Sequence, residues 1–529
     1  MEYITRSKHI IYIIILIIVT FIVFYNTFYN GFLWDDNNNI INNPFLVSPS
    51  WENLKYTFFN KYGGSILPVK LIAYLIKYRL WKLNPLPYHI WNVILYIINI
   101  ILIYILILNI NKSPEIALVT SLLFSLHPIH SEVVAALSGG EYLYAFAFFL
   151  SSLIIFSKYI CEASKNSFYY LSLLLYTMSI LSKDFPVTLF PLFMIYDFCF
   201  ISKLTLKSVR EKILIYIPFI IIPSVFLYIS MFFTSRVKHI SGLSILYHFL
   251  MDLQIITLFY IKNLFYPSGL NPMYNIRFIY MSLLILSTGL FIIILLLLIL
   301  SWKTSKEFFF FLMFFIFSIV PYTHFIVKAN IVAADRYIYA GSLSFCYFLA
   351  LILFKIYRFK DKRICKLLSV CLLTVLLVSY TTITISQNRK WENEMILWTY
   401  VTGLDEKYKD NALAFTYLGD AYLKDKDLDN AIKYYEKALS YTEGDNQNLR
   451  LILGLAYMDK GDYDKAIDNL EKGKKLERKN IFIHNNLAIA YSHRKLYDKA
   501  IEEYKRSLKI NPEQSDVKKN LEILLSGEK

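Results

Sequence analysis

Apolar runs of about 20 residues, the length needed to cross a bilayer core, recur along most of this chain and constrain it more than any other feature. The strongest read as roughly 10 to 29, 88 to 109, 114 to 129, 140 to 158, 167 to 181, 185 to 201, 213 to 233, 279 to 301, 308 to 327, 337 to 357 and 364 to 386. A chain of 529 residues that is 56% hydrophobic and 17% aromatic, with a mean hydropathy of +0.45, is too apolar for a soluble fold. The expectation is an all-α, polytopic membrane protein. Its formal charge of +15 is uneven, because residues 1 to 386 carry 30 Lys and Arg against 15 Asp and Glu while residues 387 to 529 carry 25 of each. An excess confined to the membrane part reflects topology, since cytoplasmic loops gather Lys and Arg, and it argues against nucleic acid as a partner. The five cysteines all lie in or beside apolar segments without CxxC spacing, so neither disulfides nor zinc is indicated.

Two further segments, 65 to 81 and 244 to 266, are interrupted by Lys, Asp, Gln or Asn. If both lie on the outer face as amphipathic or re-entrant helices, the basic residues from Lys112 through Lys158, Lys165, Lys203, Lys207, Arg210, Lys212, Lys303 and Lys306 to Arg358, Lys360, Lys362 and Arg363 all fall inside. That assignment gives about eleven spans, a cytoplasmic amino terminus and an extracytoplasmic carboxyl tail. The first span lacks the small-residue cleavage site of a removable signal peptide. The assignment also gathers Asp35, Asp36, Glu132, Glu141, Asp184 and Asp335 on the outer side.

The tail repeats itself. Leu418, Gly419, Tyr422, Ala431, Tyr435 and Ala438 align with Leu453, Gly454, Tyr457, Ala466, Leu470 and Gly473, and then with Leu487, Ala488, Tyr491, Ala500, Tyr504 and Ser507. Periods of about 34 residues with small residues where paired helices touch are the tetratricopeptide pattern. The expected divisions are a transmembrane domain over 1–386, a linker or pre-repeat amphipathic helix over 387–410, and three repeats with a capping helix over 411–529. Grooves of such solenoids bind peptides, so the repeats are expected to hold a protein partner.

Ionisable residues at the mouths of spans are the candidates for chemistry. Asp35 and Asp36 follow the first span within FLWDDNNNIINNPFL; they read either as catalytic carboxylates or as part of an Asx-rich turn. Trp34 favours Asp35 as the base, because an aromatic neighbour desolvates it, while Asp36 is better placed to cap the turn. His127, His130 and Glu132 read as polar support at a helix corner, with a metal site as the competing reading. Glu141 sits at the mouth of the next helix, where it can orient an acceptor hydroxyl. Lys183 and Asp184, and later Lys328, Asp335 and Arg336, bring cations to the outer face, where a phosphate at headgroup depth can be held.

The stretches WDDNNNIINNP, KLNPLPYHIWNVILY, HPIHSEVVAALSGGEYL, LSKDFPVTLFPLFMIYD, ADRYIYAGSLSF and QNRKWENEMILW, followed by tetratricopeptide repeats, resemble the transmembrane and tetratricopeptide-repeat (TMTC-type) O-mannosyltransferases in the same order. The resemblance implies a GT-C glycosyltransferase fold and transfer of mannose from a polyprenyl-phosphate donor to Ser or Thr hydroxyls on the lumenal side. It implies that Asp35 or Asp36 is the catalytic carboxylate, that Glu141 stands for the acidic residue of a G-R-A-D-like motif, and that Lys183-Asp184 and Asp335-Arg336 stand for Lys-Glu and Glu-Arg pairs. Gly139-Gly140 departs from the G-R-A run, so an Arg found there in the family is missing.

Chemistry independent of the resemblance leads the same way. A glycosyl phosphate needs a base for the incoming hydroxyl and cations for the leaving phosphate, and direct displacement inverts the anomeric centre with one carboxylate. The leaving group carries its own charge, so no obligatory cofactor and no metal are expected beyond the lipid-linked sugar. Rival readings are an enzyme acting on a lipid or polysaccharide, a noncatalytic membrane-anchored scaffold for cell-envelope assembly, and a transporter; the last would place polar residues mid-span. The membrane is the plasma membrane in a prokaryote or the endoplasmic reticulum in a eukaryote.

Overall fold

The computed structural model describes residues 2–59, 67–162, 166–233, 242–274, 281–323, 331–359, 362–404, 412–442 and 444–526. Lys165, Lys328 and Lys360 lie outside the described residues. Among the described residues every regular element is helical, and a lone bridge joins Tyr274 to Ala333. The chain forms two compact units, Met1–Asn393 and Glu394–Lys529.

The first unit begins with α1 (Glu2–Phe24), the short α2 (Pro44–Val47) and α3 (Trp51–Phe59), then α4 (Pro68–Trp81), α5 (Pro85–Asn111), α6 (Pro114–Leu126), α7 (Ser131–Ala135), α8 (Gly140–Glu162) and α9 (Asn166–Ser182). It continues through α10 (Pro191–Phe200), α11 (Leu206–Phe233), α12 (Gly242–Gln254), α13 (Ile261–Phe265), α14 (Met281–Thr304), α15 (Lys306–Ile319), α16 (Ser342–Arg358) and α17 (Arg363–Arg389).

Local chemistry sets the boundaries. Asn84 accepts from the Leu86 N–H ahead of Pro85 at the first turn of α5, and Ser113 does the same for Ile116 ahead of Pro114 in α6; polar caps and early prolines start helices cheaply. Between those helices Lys112 takes a left-handed conformation at φ 63°, closing a turn that sends the chain back the way it came.

Eleven of the described helices, α1, α5, α6, α8 to α11 and α14 to α17, overlap the eleven expected spans. Among the described residues, six helical segments are long and apolar enough to cross a membrane, and a seventh results if α6 and the bent 128–135 segment are one span. The remaining helices are shorter. Neither α4 nor the α12–α13 segment is among the six. Buried Asp252, Gln254 and Asn263 account for the polar interruptions in the latter.

Helix ends sort onto two faces. On one, Lys8 pairs with Glu115, Asn111 donates to Glu307 at 2.6 Å, and Lys212 pairs with Asp197 at 2.8 Å; the basic loops lie here. On the other, Asn26 donates to the Ile385 carbonyl at 2.9 Å, and the Glu392 carbonyl accepts from Gly31 N–H at 3.0 Å. The end of α17 therefore sits beside the end of α1. Phe124, Phe146, Phe314, Tyr339 and Tyr347 lie fully buried in the core between the faces.

In the second unit, α18 (Glu394–Gly403) precedes three helix pairs: α19 (Ala412–Lys424) with α20 (Leu428–Ser440), α21 (Gln447–Asp459) with α22 (Tyr463–Leu476), and α23 (Ile481–His493) with α24 (Tyr497–Ile510); α25 (Ser515–Ser526) caps them. The small residues of the repeat are required by close approach. A Cβ on Gly419 would stand 2.4 Å from the Tyr435 ring, and one on Gly454 would stand 2.6 Å from Leu470. The stretch expected to be a linker is divided: α17 runs on to Arg389, and α18 belongs to the second unit.

Candidate active site

Behind α1 the chain turns at Trp34, whose φ of 51° is a left-handed backbone on a bulky residue. Such a conformation persists only where its surroundings enforce it, and it is commonest at functional sites. The enforcement is visible. Asp36, next but one in the chain, is fully buried and accepts from Leu33 N–H at 3.1 Å and from Ser138 N–H at 2.7 Å. One carboxylate thus closes the turn and ties it to the loop that precedes α8. Burial pushes the Asp36 carboxyl up to about 7 despite both backbone donors.

Asp35 is left facing a cavity of about 270 Å³, which is also lined by Trp34, Lys70, Glu132, Glu141, Lys183, Asp184, Tyr322 and Arg336. Its side chain keeps contact with solvent in the cavity, yet the surrounding protein raises its proton affinity by desolvation, opposed by Arg336, Lys70 and Lys183. Of the two adjacent carboxylates, Asp35 is open to a reactant and Asp36 is consumed by the backbone. Both Asp36 oxygens serve to hold the loop.

The cations form two sets. Glu141 receives Lys70 Nζ on one oxygen and Lys183 Nζ on the other, each at 2.5 Å, and Lys183 also lies 4.9 Å over the Tyr142 ring. Arg336 is gripped by Glu132, which takes its Nη1 on one oxygen and its backbone N–H on the other, the latter at 2.9 Å. The Pro272 carbonyl accepts from the same guanidinium at 2.9 Å, whose carbon stands 5.4 Å over Trp34 and 5.0 Å over Tyr337. Glu141 is therefore held in ion pairs with both lysines, an arrangement that fixes its orientation. Lys70, on α4, was not among the residues expected here. Its helix carried only the signal of being too polar to span.

Other expected residues are turned elsewhere. Asp335 is buried and accepts from Tyr274 Oη at 2.8 Å, so it fixes the 269–274 loop and does not line the cavity. Of the adjacent pair, Arg336 lines the cavity and Asp335 holds the loop. Asp184 lines the cavity, and its buried Oδ1 has no hydrogen-bond partner among the described residues. His127 Nε2 donates to the Leu264 carbonyl at 3.0 Å while its Nδ1 accepts from Ile129 N–H at 3.3 Å. His130 Nε2 bonds Ser342 Oγ at 2.7 Å. Both histidines pin the helix corner from inside the core, and Glu132 faces away from them to Arg336. No three His, Cys, Asp or Glu side chains converge as metal ligands among the described residues.

Two glycines explain the departure at 139–140. A Cβ on Gly139 would stand 2.3 Å from the Val133 carbonyl oxygen, and one on Gly140 would stand 2.8 Å from Asn92 Oδ1. Asn92 in turn donates to the Ala136 carbonyl at 3.2 Å and accepts from buried Lys77 at 3.4 Å. The Lys77 ammonium is ringed by Tyr74, Tyr88 and Tyr144 at 5.6 to 5.8 Å, and burial brings it down to about 7.

Family models for the tetratricopeptide repeat match residues 412–445 and 481–514, and a TPR repeat model matches 454–493. Human protein O-mannosyl-transferase TMTC3 is 22% identical over 507 residues, 84% of this chain and 53% of that protein. Human protein O-mannosyl-transferase TMTC1 is 28% identical over 197 residues, 34% of this chain and 22% of that protein. The chain spans about half or less of the length of these relatives. Among solved structures, an Archaeoglobus fulgidus oligosaccharyltransferase tethered to an acceptor peptide aligns at 12% identity with a TM-score of 0.45, over 82% of this chain and 59% of that one. An apolar helical unit with a carboxylate-and-cation cavity at its helix ends, followed by tetratricopeptide repeats, thus resembles the TMTC-type protein O-mannosyl-transferases over most of its length.

Proposed function

We propose that this chain is an integral-membrane, inverting glycosyltransferase that moves a sugar, mannose by its resemblance, from a polyprenyl-phosphate donor to Ser or Thr hydroxyls of extracytoplasmic proteins. The observation that carries the reading is the shared cavity: an exposed carboxylate, Asp35, with Lys70, Lys183 and Arg336 in its walls beside the half-buried Asp184.

In the proposed step Asp35 takes the proton of the acceptor hydroxyl as its oxygen attacks the anomeric carbon. The bond from that carbon to the phosphate oxygen breaks, and its electron pair leaves on the phosphate, which gains one negative charge. Two lysines share Glu141, so that cluster carries one net positive charge, suited to the charge that develops on the leaving group. Arg336, held rigid by Glu132 and two rings, offers a planar donor at the same wall. The donor supplies the sugar and the lipid anchor, and no other cofactor enters the step. The repeats would bind the protein acceptor. The amino terminus is assigned to the cytoplasm from the positive-inside distribution, and the Asp35 face to the opposite side, the lumen in a eukaryote or the outside in a prokaryote.

The test is mass spectrometry of membranes holding the chain, incubated with polyprenyl-phosphate mannose and secreted acceptor proteins. Hexose on Ser or Thr that disappears in Asp35→Asn is expected. Hexose on glycolipid alone would overturn the protein acceptor, and no transfer to any acceptor would leave the scaffold reading. Impermeant thiol labelling of exposed Asn38→Cys in intact cells tests the orientation.

A further inference from the structure

The face opposite the active site carries a cavity that the proposed reaction does not use. It lies between α6, α16 and α17, measures about 230 Å³, and is walled by Ile116, Val119, Leu353, Phe354, Tyr357 and Leu373. Its lining on α16 runs from Ala350 to Tyr357, about 10 Å along a helix axis. Its carboxylate and its serine are already engaged: Glu115 is paired with Lys8, and Ser369 Oγ donates to the Leu353 carbonyl at 2.7 Å. The interior therefore suits a hydrocarbon.

The mouth has the opposite character. Arg358 places its guanidinium carbon 4.3 Å over the Phe354 ring, and Lys366 places its Nζ 5.9 Å over the Tyr357 ring; both rings belong to the cavity wall. Lys355, Lys362 and Arg363 stand on the same helix ends. An apolar slot with several cations at its rim, at the end where basic loops meet the bilayer, is complementary to a lipid with a negative headgroup. We infer that this cavity is a binding site for an anionic phospholipid of the leaflet on the basic face, with one acyl chain between α6, α16 and α17 and its phosphate at Arg358 and Lys366. A zwitterionic lipid would satisfy the slot but not the rim, and topology alone would require the cations without the slot.

The experiment uses the full chain in nanodiscs with trace phosphatidylglycerol carrying a photoreactive diazirine mid-chain, and the matching phosphatidylcholine. Phosphatidylglycerol should label the peptides holding Val119, Leu353 and Leu373 at least fivefold more than phosphatidylcholine. Arg358→Gln with Lys366→Gln should bring that labelling down to the phosphatidylcholine level. Val370→Trp, which adds bulk at an exposed position of the cavity wall, should suppress labelling of those peptides by both. Equal labelling by the two lipids, or labelling indifferent to the charge-removing pair, would overturn the site. So would labelling by a photoreactive polyprenyl phosphate but not by phosphatidylglycerol.

Discussion

Asp36 accepts the Ser138 backbone N–H at 2.7 Å across 102 residues of sequence, so a single buried carboxylate ties the loop bearing Asp35 to the segment that leads into α8 and Glu141. The adjacent aspartates consequently divide two tasks. Asp35→Asn should lower transfer by about a hundredfold, the scale of a general base, with thermal stability in detergent unchanged. Asp36→Asn keeps one acceptor oxygen and turns an amide donor toward the other N–H, leaving a buried donor unsatisfied at a cost of about 1–3 kcal/mol. A fall in melting temperature for Asp36→Asn and not for Asp35→Asn checks the division. The reverse pattern would exchange the two roles.

Asp35 also sets a pH dependence. Its carboxyl sits above the ordinary carboxylate range because desolvation outweighs the attraction of Arg336, Lys70 and Lys183. The base works only when ionised, so transfer should be full above that raised value and fall as pH drops through it. Lys70→Met removes one favourable charge. The acid limb of the rate profile should then move to higher pH, and the KM for the lipid-linked donor should rise about tenfold, the worth of one charge-assisted contact. A profile whose acid limb stays in place would show that Lys70 does not sense Asp35.

Arg336→Ala should raise the donor KM by a similar factor and also strand Glu132, which would keep a buried carboxylate without its cation. Glu132→Gln separates these effects. It keeps an acceptor for Arg336 while removing the charge, so it should restore the stability lost in Arg336→Ala when the two are combined. Donor KM should stay high in the double variant, because the phosphate contact is still absent.

How far the sequence disclosed this arrangement depends on the range of the interaction. Periodic features such as the apolar runs and the Leu418-Gly419-Tyr422 repeat are local and were readable. Asp35, Lys183 and Arg336 stand out as candidates in the sequence because acidic side chains are scarce in the first 386 residues and cations on the outer face run against the positive-inside bias. Lys70 was not, since α4 looks like any surface helix until Glu141, 71 positions away, is brought to it. Which of Asp335 and Arg336 faces the cavity is hidden for a related reason: adjacent residues leave a turn in different directions, and only the partners Tyr274 and Glu132 determine it. The contact that pins His127 into its corner is equally remote, because Leu264, which supplies the carbonyl, lies 137 residues after it.

Gly139 offers a test of the packing behind the site. A methyl group there would meet the Val133 carbonyl oxygen at 2.3 Å, a backbone atom that cannot swing aside, so Gly139→Ala should destabilise the first unit by about 1–3 kcal/mol. In α14, a Cβ on Gly289 meets nothing within 4 Å. Gly289→Ala should then be neutral or stabilise by about 0.5–1 kcal/mol through helix propensity. Equal responses in melting temperature would mean that the 136–140 loop is free to shift.

The repeats are expected to choose acceptors without taking part in the chemistry. Every residue lining the proposed catalytic cavity lies within Met1–Asn393, and the second unit has its own apolar core, built from Leu453, Tyr457, Leu470, Leu487 and Tyr504 among others. A chain ending at Asn393 removes whole helices and cuts none of the first unit's. It should retain donor binding and slow transfer to a short Ser/Thr peptide, while losing at least tenfold in rate on a folded secreted acceptor. The isolated repeats, residues 394–529, should bind that acceptor and compete with the full chain for it. If the truncated chain loses both substrates equally while its melting temperature is unchanged, the repeats contribute to the transfer step itself, and the division of labour proposed here is wrong.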